Sequence, residues 1–124
     1  MSKREFETGA TRDGDKDKFD YEGFLSPLVL RAYAEYLHKH RVMKDGTTRA
    51  SDNWQQEFGK EHYDVCMKSL LRHVIDLWLF HDGYKGRDTI QDALSAIIFN
   101  ASAYLYKLEK DKEVTHVEMD LTAP

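Results

Sequence analysis

The chain has 124 residues, 41% of them apolar, with two prolines and one cysteine, which is the size of one domain with a modest core. Its 18 basic and 22 acidic residues leave a formal charge of -4; this argues against non-specific nucleic-acid binding, which needs a basic face, but leaves room for a local pocket that takes a small phosphate ligand. A lone cysteine excludes an intrachain disulfide scaffold. With no apolar leader after Met1 and no run near the ~20 residues of a membrane span, the expectation is a soluble, cytoplasmic protein with no membrane partner.

Residues 1–23 are rich in Asp, Lys, Gly and Thr without periodicity and read as an irregular arm, anchored by Phe6, Phe19 and Tyr21. Ser26-Pro27 opens a first helix, with Ser26 as N-cap and Pro27 at the first helical position, where a missing N–H costs nothing. This helix is expected to reach about Arg41. On it Leu28, Ala32 and Glu35 fall nearly in line, while Val29, Tyr33, Tyr36 and Leu37 widen the apolar face, so Glu35 is expected at the core margin. The polar stretch from Lys44 to Trp54 turns at Asp45-Gly46 and ends on an isolated indole, the composition of a functional loop.

A second helix is expected from about Glu61 to His81, closed by Gly83 at C′. Cys66 reads as a small buried hydrophobe within it. Between Ser69 and Gly83, apolar side chains cover most of the helix circumference, the pattern of a helix buried in a core. Ser69, His73 and Asp76 share the remaining notch, because residues three and four apart are neighbours on a helix. After a loop at Tyr84–Arg87, a third helix is expected from Asp88, as N-cap, to about Lys110, with Ile90, Leu94, Ile97, Ala101, Leu105 and Leu108 on its main face. Asp92 falls with Ala96, Phe99 and Ala103. Residues 111–124 read as a mobile tail or a short edge strand. The expected fold is therefore all-α: a bundle of three main helices over residues 24–110, completed by oligomerisation.

Glu35, His73, Asp76 and Asp92 come from three helices, each within or beside an apolar face. Burying ionisable groups is costly unless a counter-ion compensates them, and a divalent metal is the economical one. Carboxylates from facing helices suit Mg²⁺ or Mn²⁺, with His73 as a ligand or as the group that orients water. The plainer alternative is that His73 and Asp76 bond each other or Arg72, and that Asp92 serves a helix turn. Arg12, Lys16, Lys18 and Arg49 are available to bind phosphates, alongside Asn53 and Trp54 for a base or sugar; singly, each also reads as a solvated surface group. His81-Asp82 raises the HD phosphohydrolases, without a clear helical placement for the other ligands. No P-loop, GxGxxG, CxxC pair or GxSxG is present.

Several segments together resemble the phage dATP/dGTP diphosphohydrolase N-terminal family, related to the MazG-like all-α nucleoside triphosphate pyrophosphatases. They are Gly9-Ala10-Thr11-Arg12-Asp13 with Lys16, Lys18, Phe19 and Asp20; Leu25-Ser26-Pro27 before Ala34-Glu35; Asn53-Trp54 before Gly59; Ser69-Leu70-Leu71-Arg72-His73 with Trp78; and Asp92-Ala93-Leu94 leading to Asn100. The resemblance implies a dimeric or higher α-helical protein in the host cytoplasm. It implies binding of Mg²⁺ and a purine deoxynucleoside triphosphate, which metal-activated water cleaves to monophosphate and pyrophosphate. By position it makes Glu35, Asp76 and Asp92 the metal ligands and His73 and Asp76 the catalytic pair. His73-Val74-Ile75-Asp76 stands where the pyrophosphatases have ExxE, and Asp92-Ala93-Leu94-Ser95 stands at their ExxD. Two rival readings remain: a non-catalytic module that binds or sequesters nucleotides, favoured by those incomplete acidic motifs, and a helical protein-interaction module, favoured if Asp76 and Asp92 are exposed.

Overall fold

The computed structural model of the chain describes residues 3–5, 7–14 and 16–122, with side chains described for 7–12, 14 and 16–113. The fold is all-α. It divides into two compact units, Met1–Leu30 and Arg31–Pro124. In the first, strands β1 (Lys3–Glu5) and β2 (Thr11–Asp13) pair antiparallel with Arg4 opposite Arg12, where the sequence reading has an irregular arm. Three residues per strand are too few for alternation to show. Helix α1 (Tyr21–Phe24) follows, capped by Asp20, whose side chain accepts from the Gly23 N–H at 3.0 Å. Phe19 and Tyr21 meet edge to face, with ring centroids 6.2 Å apart, and both stay exposed. Phe6 lies outside the described residues.

Helix α2 (Pro27–Lys39) begins as its sequence directs: Ser26 Oγ accepts from the Val29 N–H and the Ser26 carbonyl accepts from the Leu30 N–H. It stops before Arg41 because the chain turns there into a small hairpin. Val42 bridges Thr48 and the Arg49 N–H donates to the Arg41 carbonyl at 2.9 Å. Gly46, at φ 86°, supplies the left-handed turn residue, and Asp45 braces it by accepting from the backbone N–H and hydroxyl of Thr47.

Helix α3 (His62–His81) closes on a Schellman motif. Gly83, at φ 89°, donates to the Phe80 carbonyl, and the Tyr84 N–H donates to the Leu79 carbonyl. The chain then reverses into α4 (Ile90–Thr122), antiparallel to α3. Thr89, rather than Asp88, caps α4: its Oγ1 accepts from the Asp92 N–H at 3.1 Å. Helix α4 runs past the expected end near Lys110, since no glycine or proline interrupts it. The side chains of Val114, His116 and Glu118 lie outside those described.

The α3–α4 seam is built on small residues. Ala93, Ala96 and Ala103 recur along α4 and are fully buried together with Cys66, so the two backbones approach closely. Buried His62 locks the far end: its Nε2 bonds the Ala103 carbonyl at 2.9 Å and its Nδ1 accepts from the Phe58 N–H. Around this narrow core much of the apolar surface is uncovered. Leu71, Ile75 and Trp78 are each more than half exposed, which corrects the expectation of a core-buried α3. One partner helix covers only one stripe, so apolar residues on the other side of α3 meet solvent in the single chain.

Candidate functional site

Asp76 sits on the last half of α3, 7% exposed, and the returning loop delivers Arg87 to it. Arg87 donates to Asp76 Oδ2 from Nε at 2.9 Å and from Nη2 at 2.7 Å. This hydrogen bond holds the Asp76 carboxyl below its ordinary value, against the opposing effect of desolvation. The loop reaches back this far because Gly86 lies against Phe80: a Cβ there would meet the Phe80 ring. His73 Nδ1 is 3.8 Å from the same oxygen. Desolvation, then the Arg87 charge, pushes the His73 imidazole below its ordinary value and favours the neutral ring, outweighing Asp76. His73 and Asp76 are thus adjacent as expected, while Ser69 makes no side-chain hydrogen bond among the described residues.

Asp92 lies in the first turn of α4, where a carboxylate suits the helix dipole. Both of its oxygens accept from Lys39 Nζ, at 2.7 and 2.8 Å. Lys39 and Arg87 were not among the residues chosen from sequence. Neither is near its acid in the chain, and only the reversal of the helices brings each pair together. Glu35 is exposed on α2, which corrects its expected place at the core margin. The far side of α2 is less covered than three-helix packing anticipates. Among the described residues, no three His, Cys, Asp or Glu side chains gather as a metal-binding group. As arranged in one protomer, Glu35, His73, Asp76 and Asp92 do not fit a resident Mg²⁺ or Mn²⁺, and no chemical step is assigned to one.

A different set does come together. A cavity of about 620 Å³ opens between α2, the loop that follows it and α4. Arg49, Asn53 and Trp54 line it, with Tyr36, Leu37, His40, Arg41, Phe58 and Phe99. Three of the residues chosen from the loop composition therefore share one cavity with an aromatic wall. Trp54 is held edge to face by Tyr106, centroids 4.9 Å apart, on a short 3₁₀ turn, Asn53–Gln56. The loop is pinned to α4 by Glu57, which accepts from Lys107 at 3.2 Å and from Lys110 at 3.1 Å. These two lysines, Lys110 foremost, hold the Glu57 carboxyl below its ordinary value. Burial raises the pKa of the Tyr36 hydroxyl, helped by the charges of Asp92 and Asp88. Sequence reasoning missed Tyr36 and Phe99 as cavity residues because their helical positions read equally well as packing.

Arg12 lies on β2, and Lys16 and Lys18 in the turn that follows, all three exposed in the first unit. His81 and Asp82 close α3 as its last residue and C-cap. Among the described residues, no helix is long and apolar enough to cross a membrane. Comparison with protein-family models, curated proteins and solved structures finds no match to the chain.

Proposed function

We propose that the protein is a nucleoside triphosphate pyrophosphohydrolase acting on purine deoxynucleoside triphosphates in the host cytoplasm. Water adds to the α-phosphorus, the α–β anhydride bond breaks, and the products are a nucleoside monophosphate and pyrophosphate. The observation that carries the reading is the shared cavity of Arg49, Asn53 and Trp54, all near the segment whose Asn53-Trp54 motif resembles the diphosphohydrolase family. In this reading Trp54 stacks on the base, the Asn53 amide reads a base or sugar edge, and Arg49 takes phosphate oxygens. Mg²⁺ dependence, with Glu35, Asp76 and Asp92 as ligands and His73 at the water, rests on the resemblance alone. It requires Lys39 and Arg87 to yield the two aspartates.

The reading includes self-association. Met67, Leu71, Val74 and Trp78 recur every three or four residues along α3, and Leu94, Leu105 and Leu108 share the exposed side of α4. Such spacing matches a second helical seam, and a second copy of the chain offers the same stripe in return.

The ion pairs on Asp76 and Asp92 favour a second reading, a module that binds nucleotides without turning them over. One experiment separates the two. Purified protein is incubated with each dNTP and NTP plus Mg²⁺ or Mn²⁺, and the products are identified by phosphorus NMR. Pyrophosphate and a monophosphate support hydrolysis. Tripolyphosphate points to HD-type chemistry. A raised melting temperature without products supports the binding module, and no response to any nucleotide overturns both.

A further inference from the structure

The hairpin after α2 places two arginines side by side. The Arg49 N–H donates to the Arg41 carbonyl, Arg41 Nε donates to the Arg49 carbonyl at 2.8 Å, and Arg49 Nη1 donates to the His40 carbonyl at 3.3 Å. Each guanidinium is thus steered by one backbone contact, and among the described residues its other N–H groups carry no protein partner. Among the described residues, neither arginine is paired with a carboxylate, in contrast to Lys39 with Asp92, Arg87 with Asp76, and Lys107 with Glu57. Both arginines line the cavity, and no Asp or Glu lines it. The same cavity has Tyr36, Trp54, Phe58 and Phe99 on its walls. A ligand that satisfies every part of this lining is anionic at one end and planar and apolar at the other.

We infer that Arg41 and Arg49 form a paired clamp for the phosphate chain of a nucleotide whose base enters the aromatic part of the same cavity, so that Arg41, unremarkable in the sequence, is a phosphate-binding residue equal in weight to Arg49. This inference rests on the nucleotide reading above and deepens it. A guanidinium offers a planar fork to phosphate oxygens, and two held side by side match successive phosphates of a chain better than a single phosphate. Their shared backbone contacts pre-organise the pair, which lowers the ordering cost of binding. Binding through this clamp needs no metal.

The test is calorimetric titration of the full chain in EDTA with dGTP, deoxyguanosine and tripolyphosphate. Arg41→Gln and Arg49→Gln should each weaken dGTP and tripolyphosphate by about tenfold or more, the scale of one strong charge-assisted contact, and leave deoxyguanosine unchanged. Trp54→Ala should weaken dGTP and deoxyguanosine and leave tripolyphosphate unchanged. Arg41→Lys, which keeps the charge, and the melting temperature of each variant control for damage to the hairpin. Unchanged dGTP affinity in folded Arg41→Gln overturns the clamp, as does equal loss for dGTP and deoxyguanosine, or no binding by the wild type. The hydrolase reading fails separately. If the wild type binds dGTP through both arginines but releases no pyrophosphate, the clamp stands and hydrolysis falls. If it hydrolyses dGTP with a KM that neither substitution moves, hydrolysis stands and the clamp falls.

Discussion

Arg87 grips one oxygen of Asp76 with two nitrogens, at 2.9 and 2.7 Å, and in doing so ties the loop after α3 back onto the helix it has just left. The contact joins residues eleven positions apart across a chain reversal. It also favours the ionised Asp76 carboxylate, while desolvation first and the Arg87 charge second favour the neutral form of the neighbouring His73 imidazole.

The Asp76 pair makes stability depend on pH. The folded carboxyl titrates below its ordinary value of 3.8, so between that value and the depressed one the unfolded chain binds more protons. The pair's contribution is therefore fully present above about pH 5 and is lost as pH falls through the acid range. Melting temperatures measured from pH 7 to pH 3 should show a steeper acid decline for the wild type than for Arg87→Gln. Parallel curves would mean that the pair adds nothing.

The α3–α4 seam should reject bulk. Ala96 is 1% exposed against α3, and Ala96→Leu would force extra methylenes into a closed contact at a cost of about 1–3 kcal/mol. Urea unfolding should show a lower midpoint with an unchanged slope. Ala101→Leu, on the exposed side of the same helix, should cost far less by that measurement.

Self-association should depend on the outer face of α3. Sedimentation of the wild type should show a dimer or larger species, and Leu71→Glu with Ile75→Glu should shift it toward monomer, because burying two carboxylates in an apolar seam is costly. Both positions are over half exposed in the single chain, so the double variant keeps its helical circular dichroism. A wild type that sediments as a monomer at high concentration would reject the seam.

Metal removal tests the part of the function that rests on resemblance. Because Lys39 already holds Asp92 and the acids do not gather in the single chain, Asp92→Ala should leave dGTP turnover unchanged in EDTA and in Mg²⁺; turnover that stops in EDTA, returns with Mg²⁺ and falls on the order of a hundredfold in Asp92→Ala would instead place a metal on these acids. Unchanged turnover in Asp92→Ala would remove Asp92 from any metal site and leave its bond to Lys39 as its whole role.

Lengthwise, the helices were legible in the residues because their signals are local. Ser26-Pro27 starts α2, Gly83 ends α3, and apolar spacing marks α3 and α4; each acts within a turn or two of backbone. The sequence by itself therefore determined an all-α chain, a loop after α2 rich in ligand-binding residue types, and the closeness of His73 to Asp76. Only the tertiary structure decided which charges meet. Lys39 reaches Asp92 across 53 positions and Arg87 returns to Asp76 through the Gly86 contact with Phe80, pairings that no helical periodicity encodes. The same holds for the Arg41 and Arg49 pair, which depends on the hairpin register, and for Glu35, which is exposed on α2. Local spacing sets where a side chain points on its own helix; which helix stands opposite is set by the packing of small residues and the reach of loops, and that decides what the side chain finds there.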